Sequence, residues 1–256
     1  MRVVSVNVNG IRSAQRKGFF AWLHERGADV VCVQETKAQA EQLRASADFW
    51  PAGYYCHYRD AEKKGYSGVA IYSKQQPDAF VESFGAPEFD AEGRFLEARF
   101  GELSVISLYL PSGSSGEVRQ RAKFRALDVW AARLNKMADD GRKYIICGDW
   151  NIAHKAIDLK NWRANQTHSG FLPEEREWME RLFGTMRFVD AFREVDVRPD
   201  QYTWWSNRGQ AWAKNVGWRI DYHVLSPNLR GTAKSAEIYK DMRFSNHAPL
   251  TIDYAW

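Results

Sequence analysis

The sequence predicts an α/β fold in which two β-sheets pack on each other with helices outside, built as one domain over residues 1–256. Short apolar runs recur along the chain, and each stops at a polar residue or a glycine, as strands of a layered fold do. Residues 54–110 hold several such runs with no helical pattern between them, which a simple alternating βαβ chain does not. No internal repeat and no Pro/Gly/Ser stretch long enough to tether two domains interrupts the chain.

In order, Val3 to Val8 reads as a strand stopping at Asn7-Val8-Asn9-Gly10. Residues 14–26 carry a helical pattern through Phe19, Phe20, Trp22 and Leu23, with Gly27 placed to cap it. Asp29-Val30-Val31-Cys32-Val33 is an apolar strand ending in Gln34-Glu35-Thr36-Lys37, and a helix is expected over 38–46. Tyr54 to Tyr58 and Val69 to Ser73 read as strands around the loop 63–68. Phe95 to Phe100 and Leu103 to Leu110 predict a hairpin turned at Gly101-Glu102. After the small-residue loop Ser112–Gly116, Phe124, Leu127, Trp130 and Leu134 mark a long helix from Val118 to Met137. The strand ending at Ile145-Ile146-Cys147 leads to a loop over 152–172 and a helix from Pro173 to Phe183. Pro173 lacks an N–H where none is needed, and Glu174 and Glu175 meet the helix dipole. Arg219 to Leu225 and Leu250 to Tyr254 complete the strands.

Hydrophobic residues make up 45% and charged residues 27%, the balance of a globular chain with a sizeable core. A net charge of +4 favours an anionic partner only slightly. Three cysteines, two of them inside apolar runs, fit buried free thiols better than a disulfide framework or a zinc site. The first residues enter a strand pattern at once and no apolar run approaches the roughly 20 residues of a membrane span, so a cytoplasmic protein is expected.

Polar groups gather where the strands end: Asn7, Glu35, Tyr109, Asp149 with Asn151, Asp221, and Asn246 with His247. Each has an ordinary alternative. Gly148-Asp149-Trp150-Asn151 is also turn chemistry, Glu35 could cap a helix, and Asp221 could pair with Arg219. Tyr109 could be core and His247 a satisfied buried histidine. Taken together, carboxylates, amides and one histidine without clustered Cys suit oxygen ligation of a hard ion such as Mg²⁺, the chemistry of phosphoester hydrolysis.

The segments Asn7–Arg12, Gln34–Lys37, Gly65–Ala70, Gly148–Ala153, Asn215–Tyr222 and Ser245–Pro249 resemble the exonuclease III / AP endonuclease family, in its order and spacing, from residue 3 to residue 252. The resemblance implies a four-layer α/β sandwich of two mixed sheets flanked by helices, and a DNA repair nuclease using Mg²⁺, with Mn²⁺ as the alternative ion. By the same likeness Glu35 binds the metal with Asn7 beside it, and Asn246 is a further metal position. Asp149, helped by Asn151, acts on the attacking water. His247, held by Asp221, stabilises charge on the phosphate, and Tyr109 lies near the scissile group. Trp204, Trp218 and Ile220 match a pocket for a flipped abasic sugar, and Asn165 matches a phosphate contact. Arg119, Arg208 and Lys214 are candidate phosphate contacts, with plain solvated surface as the alternative. The implied partner is damaged double-stranded DNA with abasic sites or blocked 3′ ends, bound by a monomer.

Two departures from the family pattern bear on activity. Asn246 stands where the family has an aspartate, which predicts weaker metal binding with DNA binding retained. His168 stands where a smaller side chain is common, which predicts that 3′-end processing dominates over incision at internal abasic sites. The competing readings are a DNA-binding member with impaired catalysis, and a phosphoesterase of the same fold acting on lipid or inositol phosphates.

Overall fold

The computed structural model of the protein describes residues 1–255. The chain begins with β1 (Arg2–Asn7), then α1 (Ile11–Arg16) and α2 (Phe19–Arg26). The expected single helix over 14–26 is therefore two. The amides of Lys17 and Gly18 close the last turn of α1, and Gly18 takes a left-handed φ of 88° that turns the chain into α2. Gly27 caps α2 as expected, with a φ of 60°. After β2 (Val30–Gln34), the helix expected over 38–46 is reduced to α3 (Ala40–Leu43), whose first amide is taken by the Asp60 carboxylate.

β3 (Tyr55–Arg59), β4 (Val69–Ser73), the short β5 (Ala79–Val81), α4 (Pro87–Asp90), β6 (Phe95–Phe100) and β7 (Leu103–Tyr109) follow, the last two as the expected hairpin. Then come α5 (Glu117–Asp139), β8 (Lys143–Asp149) and α6 (Pro173–Phe183). The remainder is β9 (Val189–Asp190), α7 (Ala191–Val195), the two-residue β10 (Trp204–Trp205) and β11 (Gly217–Trp218), β12 (Asp221–Leu225), β13 (Ala233–Ile238) and β14 (Leu250–Tyr254). Arg219 and Ile220 lie before β12 rather than in it.

These strands form two mixed six-stranded sheets, ordered β13-β14-β1-β2-β4-β3 and β5-β6-β7-β8-β12-β9. Within them β1 runs parallel to β2 and β7 parallel to β8. Side chains alternate between faces, so each sheet feeds two cores. Val3, Cys32, Ile71 and Ile252 meet Val105, Ile145, Cys147 and Leu225 between the sheets. Val4, Val6, Val31 and Val33 point outward onto Phe19, Trp22 and Leu23. Ile106, Leu108 and Ile146 point the other way onto Trp130, Leu134, Trp178 and Met179. The result is the expected helix–sheet–sheet–helix sandwich, and no helix among the described residues is long and apolar enough to cross a membrane. Across the central interface, Gln34 Nε2 donates to Ser107 Oγ at 3.0 Å, and Ser107 donates on to Val33 O.

Arg219 does not pair with Asp221. Its buried guanidinium binds Asp158 at 2.8 Å and Asp190 at 2.7 Å, and Arg193 closes on Asp158 from the other side. Burial opposes the Asp158 charge, but the two arginines override it and hold the carboxyl down at about 2. Burial alone pushes His223 down to about 3. Both groups have folded pKa values below their unfolded ones, so both contribute stability that is lost as pH falls. For His223 the loss begins near 6.5 and grows toward 3; for Asp158 it runs from about 4 to 2. Between pH 7 and pH 4.5, urea unfolding is expected to show the parent losing about 3 kcal/mol relative to His223→Leu, since the other titrating groups are common to both proteins. An equal loss in both proteins removes His223 as the cause.

Candidate active site

The site lies where strands from both sheets end on one rim. Register brings Tyr109 opposite Asp149 and Asp149 opposite Asp221, so three residues far apart in sequence form one row across β7, β8 and β12. Gly148 permits the close approach behind them: a Cβ there would sit 1.9 Å from Leu108 O. From the other sheet come Asn7 at the end of β1, Glu35 just past β2, and His247 just before β14. Asn9, Glu35, Lys37 and Asn151 all take left-handed backbone, a strained choice for non-glycine residues that concentrates at functional rims.

Asn7 joins the two halves. Its Nδ2 donates to Glu35 Oε1 at 2.8 Å and to Asp149 Oδ2 at 2.9 Å, while its Oδ1 accepts from the Asn9 amide. Asp149 Oδ1 accepts from the Asn151 amide, and Asn151 Nδ2 donates to Leu110 O. His247 Nδ1 faces Asp221 Oδ2 at 2.9 Å, leaving Nε2 3.8 Å from Asp149. Ser245 ties the His247 segment to β1 by donating to Asn7 O. Asn246 offers its oxygen to Asn9 Nδ2 at 2.8 Å.

Electrostatics divide the roles. Burial pushes Asp149 up to about 7, against the pull of His247, with Asp221 and Glu35 adding to the rise. Burial pulls His247 down, but the carboxylates of Asp221 and Asp149 outweigh it and bring the imidazole to about 9. Glu35 pays for burial too, yet Lys37 at 2.8 Å and Asn7 hold it below the usual range, so it is ionised. Burial and the neighbouring Glu35 keep the Tyr109 hydroxyl protonated.

Glu35, Asp149 and His247 offer ligand atoms that all lie within 4.8 Å of one another. Two carboxylates converging in this way fit a hard divalent cation held through oxygen. Asn7 turns its NH₂ toward them, which makes it a partner of the carboxylates as it stands.

Above these groups opens a cleft of about 620 Å³. One wall is apolar: Trp204 and Trp218 meet edge to face with ring centroids 6.2 Å apart, and Ile220, Phe171, Leu159 and Ala153 back them. Asn165, His168, the Ser112–Gly116 loop and Asn246 also line the cleft. Tyr109, Asp149, Asn151, Asn165, His168, Trp204, Trp218, Ile220, Asn246 and His247 thus share one cleft, with Asn7 and Asp221 packed behind it.

Three predicted contacts lie elsewhere. Arg119 is bound to Glu92 and to Tyr66 rather than turned to the cleft. Arg208 and Lys214 are exposed outside its lining. Conversely, the residues did not point to Arg94, whose buried guanidinium lies 4.6 Å over the Tyr109 ring and donates to Tyr109 O. Nor did they single out Lys37, which pairs with Glu35, or Asn9, which binds Asn246, although each stands two positions from a predicted site residue; Arg94, just after a turn, carries no such mark.

Residues 4–247 match the model of the Endonuclease/Exonuclease/phosphatase family. An exodeoxyribonuclease of Bacillus subtilis is 39% identical over 256 residues, spanning 98% of both chains. The DNA repair nuclease APEX1 of Danio rerio is 36% identical over 256 residues, spanning 98% of this chain and 81% of its own. An AP endonuclease from Archaeoglobus fulgidus shares the fold with a TM-score of 0.89 at 26% identity over 100% of both chains. With both sheets and every strand end of the rim inside these matches, the protein belongs to the endonuclease/exonuclease/phosphatase family, in its exonuclease III / AP endonuclease branch.

Proposed function

We propose that this phosphodiester hydrolase is a Mg²⁺-dependent DNA repair nuclease that acts at blocked 3′ ends in preference to internal abasic sites. The observation that carries the reading is the meeting of Glu35, Asp149 and His247 within 4.8 Å at the floor of a cleft with an apolar tryptophan wall. A divalent cation held by Glu35 and Asp149 would polarise the phosphoryl oxygen. The remaining work falls to side chains. Asp149 orients the attacking water and takes its proton, helped by Asn151. His247, kept cationic by Asp221, stabilises the charge that develops on the phosphate, and the Tyr109 hydroxyl donates beside it. The Trp204–Trp218–Ile220 wall receives a sugar without its base.

His168 is exposed in the lining of the cleft, on the same loop as Asn165. An imidazole there narrows the path of a strand continuing past the lesion, while a terminal 3′ group has no strand to pass. His168→Ser is expected to raise incision of an internal abasic duplex roughly tenfold relative to 3′-phosphate release. An unchanged ratio removes His168 from the account. Mg²⁺-dependent release of 3′-phosphate from nicked duplex tests the reading as a whole; binding without turnover would instead support the impaired-catalysis alternative.

That alternative is favoured by one contact, the neutral Asn9–Asn246 pair on the metal side of the cleft. Asn246→Asp keeps an oxygen for Asn9 and adds a charge. It is expected to tighten apparent Mg²⁺ affinity roughly tenfold and to raise turnover, as read from a Mg²⁺ titration of rate; no change in either would clear Asn246.

A further inference from the structure

We propose that the buried Lys123–Glu175 ion pair is a positioning device that fixes the loop carrying His168, and so sets the balance between chain ends and internal sites; this rests on the reading of His168 given above. Both side chains are fully buried, and Lys123 Nζ meets Glu175 Oε1 at 2.6 Å. Taking two charges out of water makes such a pair a weak stabiliser, and well-packed apolar residues often serve stability as well. What distinguishes this pair is where its other hydrogen bonds go.

Lys123 Nζ also donates to Asn151 O at 2.8 Å, and Gln120 Nε2 donates to Glu175 Oε1 at 3.0 Å. Glu175 Oε2 accepts from the amides of Gly170 at 2.6 Å and Leu172 at 3.0 Å. Only the Leu172 bond is ordinary capping of α6, which an exposed glutamate at the third helical position would supply equally well. The Gly170 bond reaches out of the helix to the residue two positions beyond His168. Gly170 O in turn accepts from the Ala153 amide, and Gly170 lies against Trp218 with no room to spare. The ion pair thus gathers α5, the Asn151 turn and the His168 loop beside the cleft.

The junction is also tight on its far side. Gly113 packs directly on the side-chain ends of Gln120 and Ser169, where a Cβ would lie 1.9 Å from Gln120 Oε1 and 2.5 Å from Ser169 Oγ and would push both aside. With the Ser112–Gly116 loop wedged there, the distance between the two loops follows from the position of Gln120 and of the Glu175 carboxylate that holds it.

The test is the charge-free pair Lys123→Met/Glu175→Met, which leaves no acceptor for the Gly170 and Leu172 amides. Its rates on an internal abasic duplex and on a 3′-phosphate nick are compared with the parent and with His168→Ser. The ratio of internal incision to 3′-phosphate release is expected to rise roughly three- to thirtyfold, the range for residues acting through another. Amide exchange at Gly170 and Leu172 should quicken while the global unfolding transition holds. A merely structural role lowers both rates together and leaves the ratio alone. If His168→Ser raises the ratio and the pair variant does not, the positioning role is overturned and the His168 reading stands. If neither moves it, both are overturned. Should the pair variant fail to fold, Gln120→Met removes one bond to Glu175 and is read in the same way.

Discussion

Asp149→Asn is expected to lower kcat for 3′-phosphate release by roughly 10²–10⁴-fold and, in the same protein, to gain stability relative to the parent as pH rises. The first effect follows from removing the group that accepts the water's proton. The second follows from the environment that makes Asp149 useful. Its folded pKa of about 7 stands well above the ordinary carboxyl value, chiefly through burial. A raised carboxyl favours the fold in its protonated form, so its contribution falls as pH rises from about 4 to about 7 and is gone above that. The amide stays neutral throughout, and its carbonyl still accepts from the Asn151 N–H, which now meets Asp149 Oδ1 at 2.9 Å, while its NH₂ faces the Asn7 donor at a cost that is the same at every pH. Thermal unfolding in chelator, where no cation compensates the charge, should therefore move the variant upward relative to the parent between pH 5 and pH 8. A variant that loses both activity and stability, with no such movement, would mean that Asp149 serves the fold.

Asp221→Asn should produce the other large effect, a loss of roughly 10²-fold in kcat with a displaced pH profile. On the proposed mechanism the parent needs Asp149 ionised, above about 7, and His247 protonated, below about 9. The profile of kcat/KM is therefore a bell, and a bound divalent cation moves both limbs downward by favouring the carboxylate and repelling the imidazolium. Asp221 sits behind His247 at 2.9 Å and is the foremost group raising its pKa. Without that charge the imidazole loses its proton sooner, so the alkaline limb shifts to lower pH while the acidic limb moves little. A kcat loss with an unmoved alkaline limb would show that Asp221 acts by some route other than the His247 cation.

Strand ends were legible because local chemistry marks them. Tyr109, Asp149 and Asp221 each border an apolar run, and the register then puts them side by side. Chain punctuation also revealed the hairpin at Gly101 and the start of α6 at Pro173. Elements without such marks were missed. β10 and β11 have two residues each, too few for alternation to show, and β13 is an edge strand with Lys234, Ser235 and Glu237 turned outward or partly so. Partner choice among charges was the least legible. Arg219 ignores Asp221 two positions away for Asp158, 61 positions back, and Arg119 is held by Glu92. Such pairs are fixed by packing between layers, for which the sequence carries no local period.

The division of the rim between two sheets bears on how the enzyme comes into being. Glu35 and Asn7 belong to one sheet and Asp149 and Tyr109 to the other, and His247 is carried by the segment leading into β14. β14 pairs directly with β1, so the first strand made waits for one of the last before its sheet is complete. A nascent chain emerging from the ribosome therefore holds carboxylates but no imidazole to work with them. Hydrolysis as proposed thus awaits closure of the sandwich, which is what brings Glu35, Asp149 and His247 together.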